Sequence, residues 1–305
     1  MFRSKIEKNN EGIYDFGLNN EVTKKVNNFY EPLPFPNYSK DDDKRKILDI
    51  GNKNYLSQNF KKFVGYGKTV LEVGSGTSQL SIYLAVNTNN KICAFDGTYN
   101  SLKQGKLFCE KENIKNVDFV RGDLFENLFE NNYFDYIWCS GVLHHTKNPK
   151  KGFENIIRFL KVNGYVLVGL YNRYGRILTV LRQLVCKLFG EKILFFLDPY
   201  LRLLKKNKEK NKDKINSWIN DQYLHPVESL HTIDEVLKWF KENNIEYYTS
   251  IPSCDFEKIS KDDEKNFNLQ DSKGDFFLRL FRQIQMIFTR LGKEGGLFIV
   301  IGKKL

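Results

Sequence analysis

The stretch Val70-Leu71-Glu72-Val73-Gly74-Ser75-Gly76-Thr77, with Gln79-Leu80-Ser81-Ile82-Tyr83-Leu84-Ala85 behind it, decides how this chain is read. A short apolar run holding one carboxylate reads as a strand, the glycine pair as a tight turn, and the following segment as a helix. Glycines at such a turn let the backbone approach a ligand closely, while the helix N-terminus offers unpaired N–H groups. Asp96 ends the next apolar run, Ile92-Cys93-Ala94-Phe95, as an acceptor placed for the two hydroxyls of a ribose.

Outward from this loop the same rhythm repeats. A helix is expected around Ser101 to Asn113, with Leu102 and Leu107 facing inward. Val117 to Val120 and Tyr133 to Cys139 read as further strands. Asn148-Pro149 is an N-cap followed by a proline at the first helical position, and Phe153, Ile156, Ile157 and Leu160 then fall on one helical face. Asn163-Gly164 stops that helix, and Tyr165 to Leu170 is the next strand. Further on, Thr232-Ile233-Asp234-Glu235 is a capping box, Ile245 to Ile251 a strand, and Leu297 to Ile301 a continuous apolar strand suited to the sheet interior. The expected fold is α/β: a Rossmann-like, doubly wound, seven-stranded and mostly parallel sheet with the last strand antiparallel, plus helical lid insertions.

This rhythm divides the chain into a leader or cap over residues 1–60, a core over 61–170, a helical insertion over 171–231 and a C-terminal part of the core over 232–305. The last part carries a second helical insertion at 252–294. In the first insertion Ile177, Leu178, Leu181, Leu184, Val185 and Leu188 form one apolar face; in the second, Phe277, Leu278, Leu280, Phe281, Ile284, Ile287 and Phe288 are spaced similarly.

The ligand is narrowed by three residues. A dinucleotide fingerprint wants a third glycine where Gln79 stands. Glu72 lies within the strand, where the ammonium of an amino-acid moiety would gain a carboxylate partner. Asp123, after the third strand in Arg121-Gly122-Asp123-Leu124, is an acceptor for an adenine amino group.

Val70 to Thr77 resembles the first motif of the class I S-adenosylmethionine (SAM)-dependent methyltransferases. Asp96 is similar to their ribose-binding acid, and Gly122-Asp123-Leu124 to their adenine-contacting segment. Phe134-Asp135-Tyr136-Ile137-Trp138-Cys139-Ser140-Gly141-Val142-Leu143-His144-His145 resembles the fourth-strand motif of the small-molecule branch, which includes the quinone-biosynthesis enzymes. Leu160 to Tyr165 is similar to the family's LKPGG turn, and Ser78 stands where the family usually has a glycine. The resemblance covers about residues 66–170, and more loosely 232–251 and 295–303. It implies SAM as cofactor, held by Glu72, Gly74, Ser75, Gly76, Gln79, Asp96, Gly97, Asp123, Leu124 and Ser140.

SAM carries an activated methyl, so alignment of the acceptor supplies much of the catalysis, about 7–11 kcal/mol of the barrier. A base is needed only when the acceptor arrives protonated. His144 and His145 sit at the positions beside the methyl in the resembling motif and are the candidate catalytic residues, with packing against the cofactor as the alternative role. Tyr30, Tyr171, Arg173 and His225 are the candidate substrate contacts: Tyr30 lies in an aromatic, proline-rich leader running to Tyr38, and Arg173 and Arg176 follow the fifth strand where an anion could be held. Asp221 to His231 gathers two histidines and two carboxylates, read as hydrogen-bonding lid residues; no metal is expected.

The fourth-strand motif lacks the Asp/Asn-Pro-Pro-aromatic sequence of amino-methylating nucleic-acid enzymes, and Cys139 follows Trp138, not the proline of cytosine C5 enzymes. Nucleic acid is therefore disfavoured despite the formal charge of +11, much of which lies in the lysine run from Lys205 to Lys214, read as a solvated loop. Five irregularly spaced cysteines without a CxxC argue against a disulfide framework, and the charged start Met1 to Lys8 is unlike a secretory signal, so a cytoplasmic location is expected. The apolar faces flanked by basic residues leave room for a peripheral membrane enzyme acting on a lipid or polyprenyl substrate, and for a homodimer. A SAM-binding protein without catalysis and, more distantly, a dehydrogenase are the other readings.

Overall fold

The structure, a computed structural model, describes residues 1–32, 34, 37–39, 41–205, 212–258, 270–288 and 296–305. Eight strands among them form one sheet: β1 (Tyr14–Asp15), β2 (Thr69–Val73), β3 (Lys91–Asp96), β4 (Val117–Arg121), β5 (Phe134–Ser140), β6 (Leu160–Tyr171), β7 (Ile245–Ile251) and β8 (Leu297–Lys304). Their spatial order is β1-β4-β3-β2-β5-β6-β8-β7. The pairings from β1 to β6 are parallel, whereas β8 runs antiparallel to both β6 and β7. From β2 the chain builds outward in one direction through β3 and β4 and in the other through β5 and β6. The crevice at this reversal, beyond the strand C-termini, is where open α/β sheets bind ligands.

The alternation of the strands explains the two layers of core. Leu71 and Val73 of β2 point to one face of the sheet, Val70 to the other, and both faces are covered. Helices α1 (Glu21–Tyr30), α2 (Lys44–Lys53) and α3 (Tyr55–Val64) precede β2, and α4 (Gln79–Ala85) and α5 (Tyr99–Lys111) follow β2 and β3. Ile47, Phe60, Ile82 and Leu102 from these elements lie in one core layer. On the opposite face α6 (Pro149–Phe159) buries Phe153, Ile156 and Ile157 as the spacing predicts, but it ends at Phe159, before Asn163-Gly164, and Leu160 opens β6. The Asn148 side chain accepts from Lys151 N, with Pro149 opening the helix.

Between β6 and β7 come α7 (Ile177–Phe189), α8 (Leu194–Leu197), α9 (Pro199–Lys205), α10 (Lys212–Ile219) and α11 (Ile233–Glu242). Helix α12 (Phe276–Gln285) lies between β7 and β8. The Thr232 hydroxyl accepts from Glu235 N at 3.2 Å as the capping box requires, while the Glu235 carboxylate engages His231 Nδ1 at 3.0 Å.

Expectations change for the strand count, for Leu107 and for the lysine run, and the apolar helix faces find their direction. The sheet has eight strands instead of seven, because the two-residue β1 is too short to show a period of two yet pairs with Val120 and Arg121. Leu107 is exposed while Leu102 is fully buried. The apolar face of α7 turns outward: Leu178, Leu181, Leu184 and Leu188 are exposed, and Thr179 and Cys186 are the buried residues. On α12, Phe277 and Phe281 are likewise exposed. Of the lysine run, Lys205 ends α9 and Lys212 and Lys214 belong to α10, while Lys206, Lys208 and Lys210 lie outside the described residues. No described helix is long and apolar enough to cross a membrane.

Candidate cofactor and methyl-transfer site

The glycine loop leaves β2 with Gly74 at φ +69° and Gly76 at φ +52°, conformations that side chains rarely adopt. A Cβ on Gly74 would also lie 2.2 Å from Val142 Cγ2, so the loop passes against the turn after β5. Ser78 takes φ +64° as well, which explains why a glycine is usual there; its hydroxyl donates to Ser75 Oγ at 3.2 Å. Behind the loop, Tyr38 of the leader donates to Thr77 O at 2.8 Å and stacks on Phe108, away from the cavity.

A cavity of about 940 Å³ opens above this loop. Glu72, Gly74, Ser75, Gly76, Gln79, Asp96, Gly97, Leu124 and Ser140 line it, together with Tyr30, Tyr171 and His145. Asp96 accepts from Gly76 N at 2.8 Å through one carboxylate oxygen and from Thr98 N at 2.7 Å through the other. Each oxygen keeps a further lone pair for a ribose hydroxyl. Glu72 is buried, accepts from the Ser81 hydroxyl, and has its pKa pushed up to about 8 by burial. Among the described residues no cation pairs with it. A buried carboxylate at a ligand cavity without a cation of its own fits the ammonium that the methionine part of SAM carries.

Four predicted contacts, Asp123, Arg173, His144 and His225, do not line this cavity. Asp123 is buried, and its carboxylate is taken by Phe125 N at 3.0 Å and Asn20 N at 3.2 Å; its neighbours Leu124 and Phe125 line the cavity instead. Arg173 is exposed and lines no described cavity, because Asn172 Oδ1 accepts from Tyr174 N and Gly175 N and turns the chain so that Arg176 enters the protein. His144 is fully buried behind the lining, its ring centroid 4.0 Å from that of Tyr171 and 4.2 Å from that of His145.

The chemistry gathers at the end of the cavity beyond β5 and β6. His145 Nδ1 lies 2.8 Å from Val227 O, and His225 Nδ1 lies 2.6 Å from the same oxygen. A carbonyl can only accept, so His145 carries its proton on Nδ1 and keeps a lone pair on Nε2; His225 Nδ1 faces both the Val227 carbonyl and, at 3.2 Å, the Val227 N–H. Burial lowers the pKa of His145, with Asp221 and Val227 opposing and Arg176 adding to the fall. Burial and His145 push His225 down to about 4. His225 itself lines a second cavity of about 790 Å³ beneath α7.

Arg176, fully buried, donates to Glu228 at 2.7 Å and to Gln222, and its guanidinium lies 3.6 Å from the Tyr171 ring centroid. Tyr30 of α1 donates to Asp221 at 2.9 Å and so joins the leader to the segment after α10. The sequence reading missed Asn27, Tyr55 and Tyr83, which line the cavity from the leader and α4. Spacing carries no sign of them, since they reach the site through tertiary packing alone. Among the described residues no group of His, Cys, Asp or Glu is placed to hold a metal.

A methyltransferase-domain family model matches residues 65–244. An uncharacterized protein of Synechococcus is 22% identical over 196 residues, 58% of this chain and 47% of that protein. A demethylmenaquinone methyltransferase of Oceanobacillus iheyensis is 27% identical over 171 residues, half of this chain and 72% of its own. The matched region thus spans between about half and three quarters of the length of these relatives. Among solved structures, PKMT2 of Rickettsia typhi in complex with S-adenosylhomocysteine aligns with a TM-score of 0.57 at 14% identity, over 81% of this chain and 52% of that one. With the glycine loop, Glu72 and Asp96 arranged as described, the chain belongs to the methyltransferase-domain family, and its cofactor is S-adenosylmethionine.

Proposed function

We propose that the protein transfers the methyl of SAM to a small-molecule acceptor by in-line displacement, with His145 taking the acceptor's proton. The observation that carries this reading is the single hydrogen bond of His145 Nδ1 to Val227 O, on a ring that lines the cofactor cavity. It presents Nε2 as a lone pair, and the lowered pKa keeps that lone pair free at neutral pH. The base deprotonates an acceptor such as a hydroxyl as its oxygen attacks the methyl carbon; the methyl–sulfur bond breaks, and its electron pair stays on sulfur as S-adenosylhomocysteine leaves. Tyr30, Tyr171 and Asp221 surround the acceptor end and orient it. Asp96 and Glu72 hold the ribose and the ammonium. The similarity to a demethylmenaquinone methyltransferase supports an acceptor of small-molecule size.

The test is transfer of labelled methyl from SAM into fractionated cell extracts. Label is expected in the small-molecule fraction; label found only in protein or nucleic acid overturns the acceptor class. His145→Phe is expected to lower kcat by about 10²–10⁴-fold with the Kd for SAM unchanged. An unchanged kcat in that variant removes the base. Asp96→Ala is expected to weaken SAM by about 1.5–3 kcal/mol, measured by calorimetry.

A further inference from the structure

Helix α7 is inside out for a protein in water. Its buried positions are Thr179 and Cys186, while Leu181, Leu184, Leu188 and Phe189 are 52%, 52%, 78% and 71% exposed. An amphipathic helix normally turns its leucines to the core, and contiguous apolar exposure of this kind marks a contact surface. The patch continues onto Phe196 of α8 and Leu203 of α9, which are 68% and 60% exposed. Its charged residues are nearly all of one sign: Lys187, Lys192, Arg202 and Lys205 are exposed, against Glu191 alone, since Asp198 is buried and bonded to Trp218 and Tyr223.

We propose that this face docks on an anionic lipid bilayer and that the acceptor is an amphiphile drawn from it. The charge decides between occupants. A second copy of the chain meeting the patch across a two-fold axis would set lysines against lysines, whereas an anionic headgroup layer complements them and takes the leucines beneath it. The second cavity supplies the connection to the methyl-transfer site. It is lined by Phe189 and Lys192 at the exposed corner and by His225 at its inner end. The His225 ring centroid lies 3.7 Å from that of His145, which lines the cofactor cavity. Two imidazoles packed at an interplanar angle of 35° therefore lie between this cavity and the cofactor cavity.

The acceptor class rests on the methyl transfer proposed above; the docking does not, and it is tested without SAM. Flotation of the full chain with phosphatidylglycerol–phosphatidylcholine vesicles at low salt is expected to carry protein with the lipid. Vesicles of phosphatidylcholine alone are expected to carry none. Leu184→Glu/Leu188→Glu and, separately, Lys187→Glu/Lys192→Glu should each weaken binding about tenfold or more, with circular dichroism and melting unchanged because all four side chains are exposed. Wild type left in the unbound fraction with anionic vesicles overturns the docking. So does a dimer by analytical ultracentrifugation that Leu184→Glu/Leu188→Glu dissociates. If docking holds, methyl transfer to lipid-soluble extracts should rise when anionic vesicles are added. Docking with transfer only to water-soluble acceptors would overturn the acceptor class alone.

Discussion

The His225 ring lies against the His145 ring with centroids 3.7 Å apart, both Nδ1 atoms on the carbonyl of Val227. Two cations cannot share this geometry: burial and the His145 ring depress the charging of His225, while burial and Arg176 depress that of His145. A histidine whose folded pKa is depressed contributes stability that is present above its ordinary value near 6.5 and lost as pH falls through the folded value. Melting temperature is therefore expected to fall between pH 6.5 and about 4, and His225→Phe should flatten that slope. An equal slope in the variant would remove His225 as its source.

Glu72 gives the opposite sign. Its pKa is raised to about 8, so its carboxyl is protonated at neutral pH before the cofactor arrives. The ammonium of SAM favours the carboxylate, and binding should then expel a proton below about pH 8. Calorimetry at pH 7 in two buffers of different ionisation enthalpy is expected to give different heats, and affinity should rise with pH toward that value. In Glu72→Gln both effects should vanish and SAM should bind more weakly; buffer-dependent heats that survive the substitution would place the proton elsewhere.

Gly74→Ala combines a positive φ with a Cβ 2.2 Å from Val142 Cγ2. The left-handed backbone alone costs about 1–2 kcal/mol. The expected result is a lower melting temperature and a loss of SAM binding larger than the loss of stability, if the displaced loop cradles the cofactor as proposed. Adding Val142→Ala should recover part of the melting temperature, since the contact is relieved and the backbone strain is not.

Arg176→Met leaves Glu228 without its cation, and removing one partner of a buried pair costs about 3–5 kcal/mol. Arg176→Met/Glu228→Gln should be less destabilised than the single variant in denaturant unfolding. A double variant no more stable than the single would mean that the Tyr171 and Gln222 contacts, not the ion pair, are what Arg176 supplies.

The cofactor half of the molecule was legible because its signals are local. The strand, Gly74, Gly76 and Asp96 sit at spacings set by one βα unit, and α6 shows its buried face in eleven residues directly behind its cap, Asn148. The acceptor half was not. Arg173 and Arg176 are equivalent by composition, and only the turn made by Asn172 sends the second inward. The periodicity of α7 identified its apolar face correctly as a face, but periodicity carries no direction and cannot say which side of a helix meets the core. Strand β1 escaped for a simpler reason: two residues make no pattern.

The bond from Tyr30 to Asp221 spans 191 positions of sequence and ties the leader to the segment after α10 in the wall of the cavity. Such a clasp makes turnover directional. If the clasp opens to admit the donor and closes over it, the donor binds first, the acceptor second, and the spent donor leaves last. Ordered kinetics are the expected outcome, with S-adenosylhomocysteine competing against SAM alone and the slow step in the opening of the clasp instead of the chemistry.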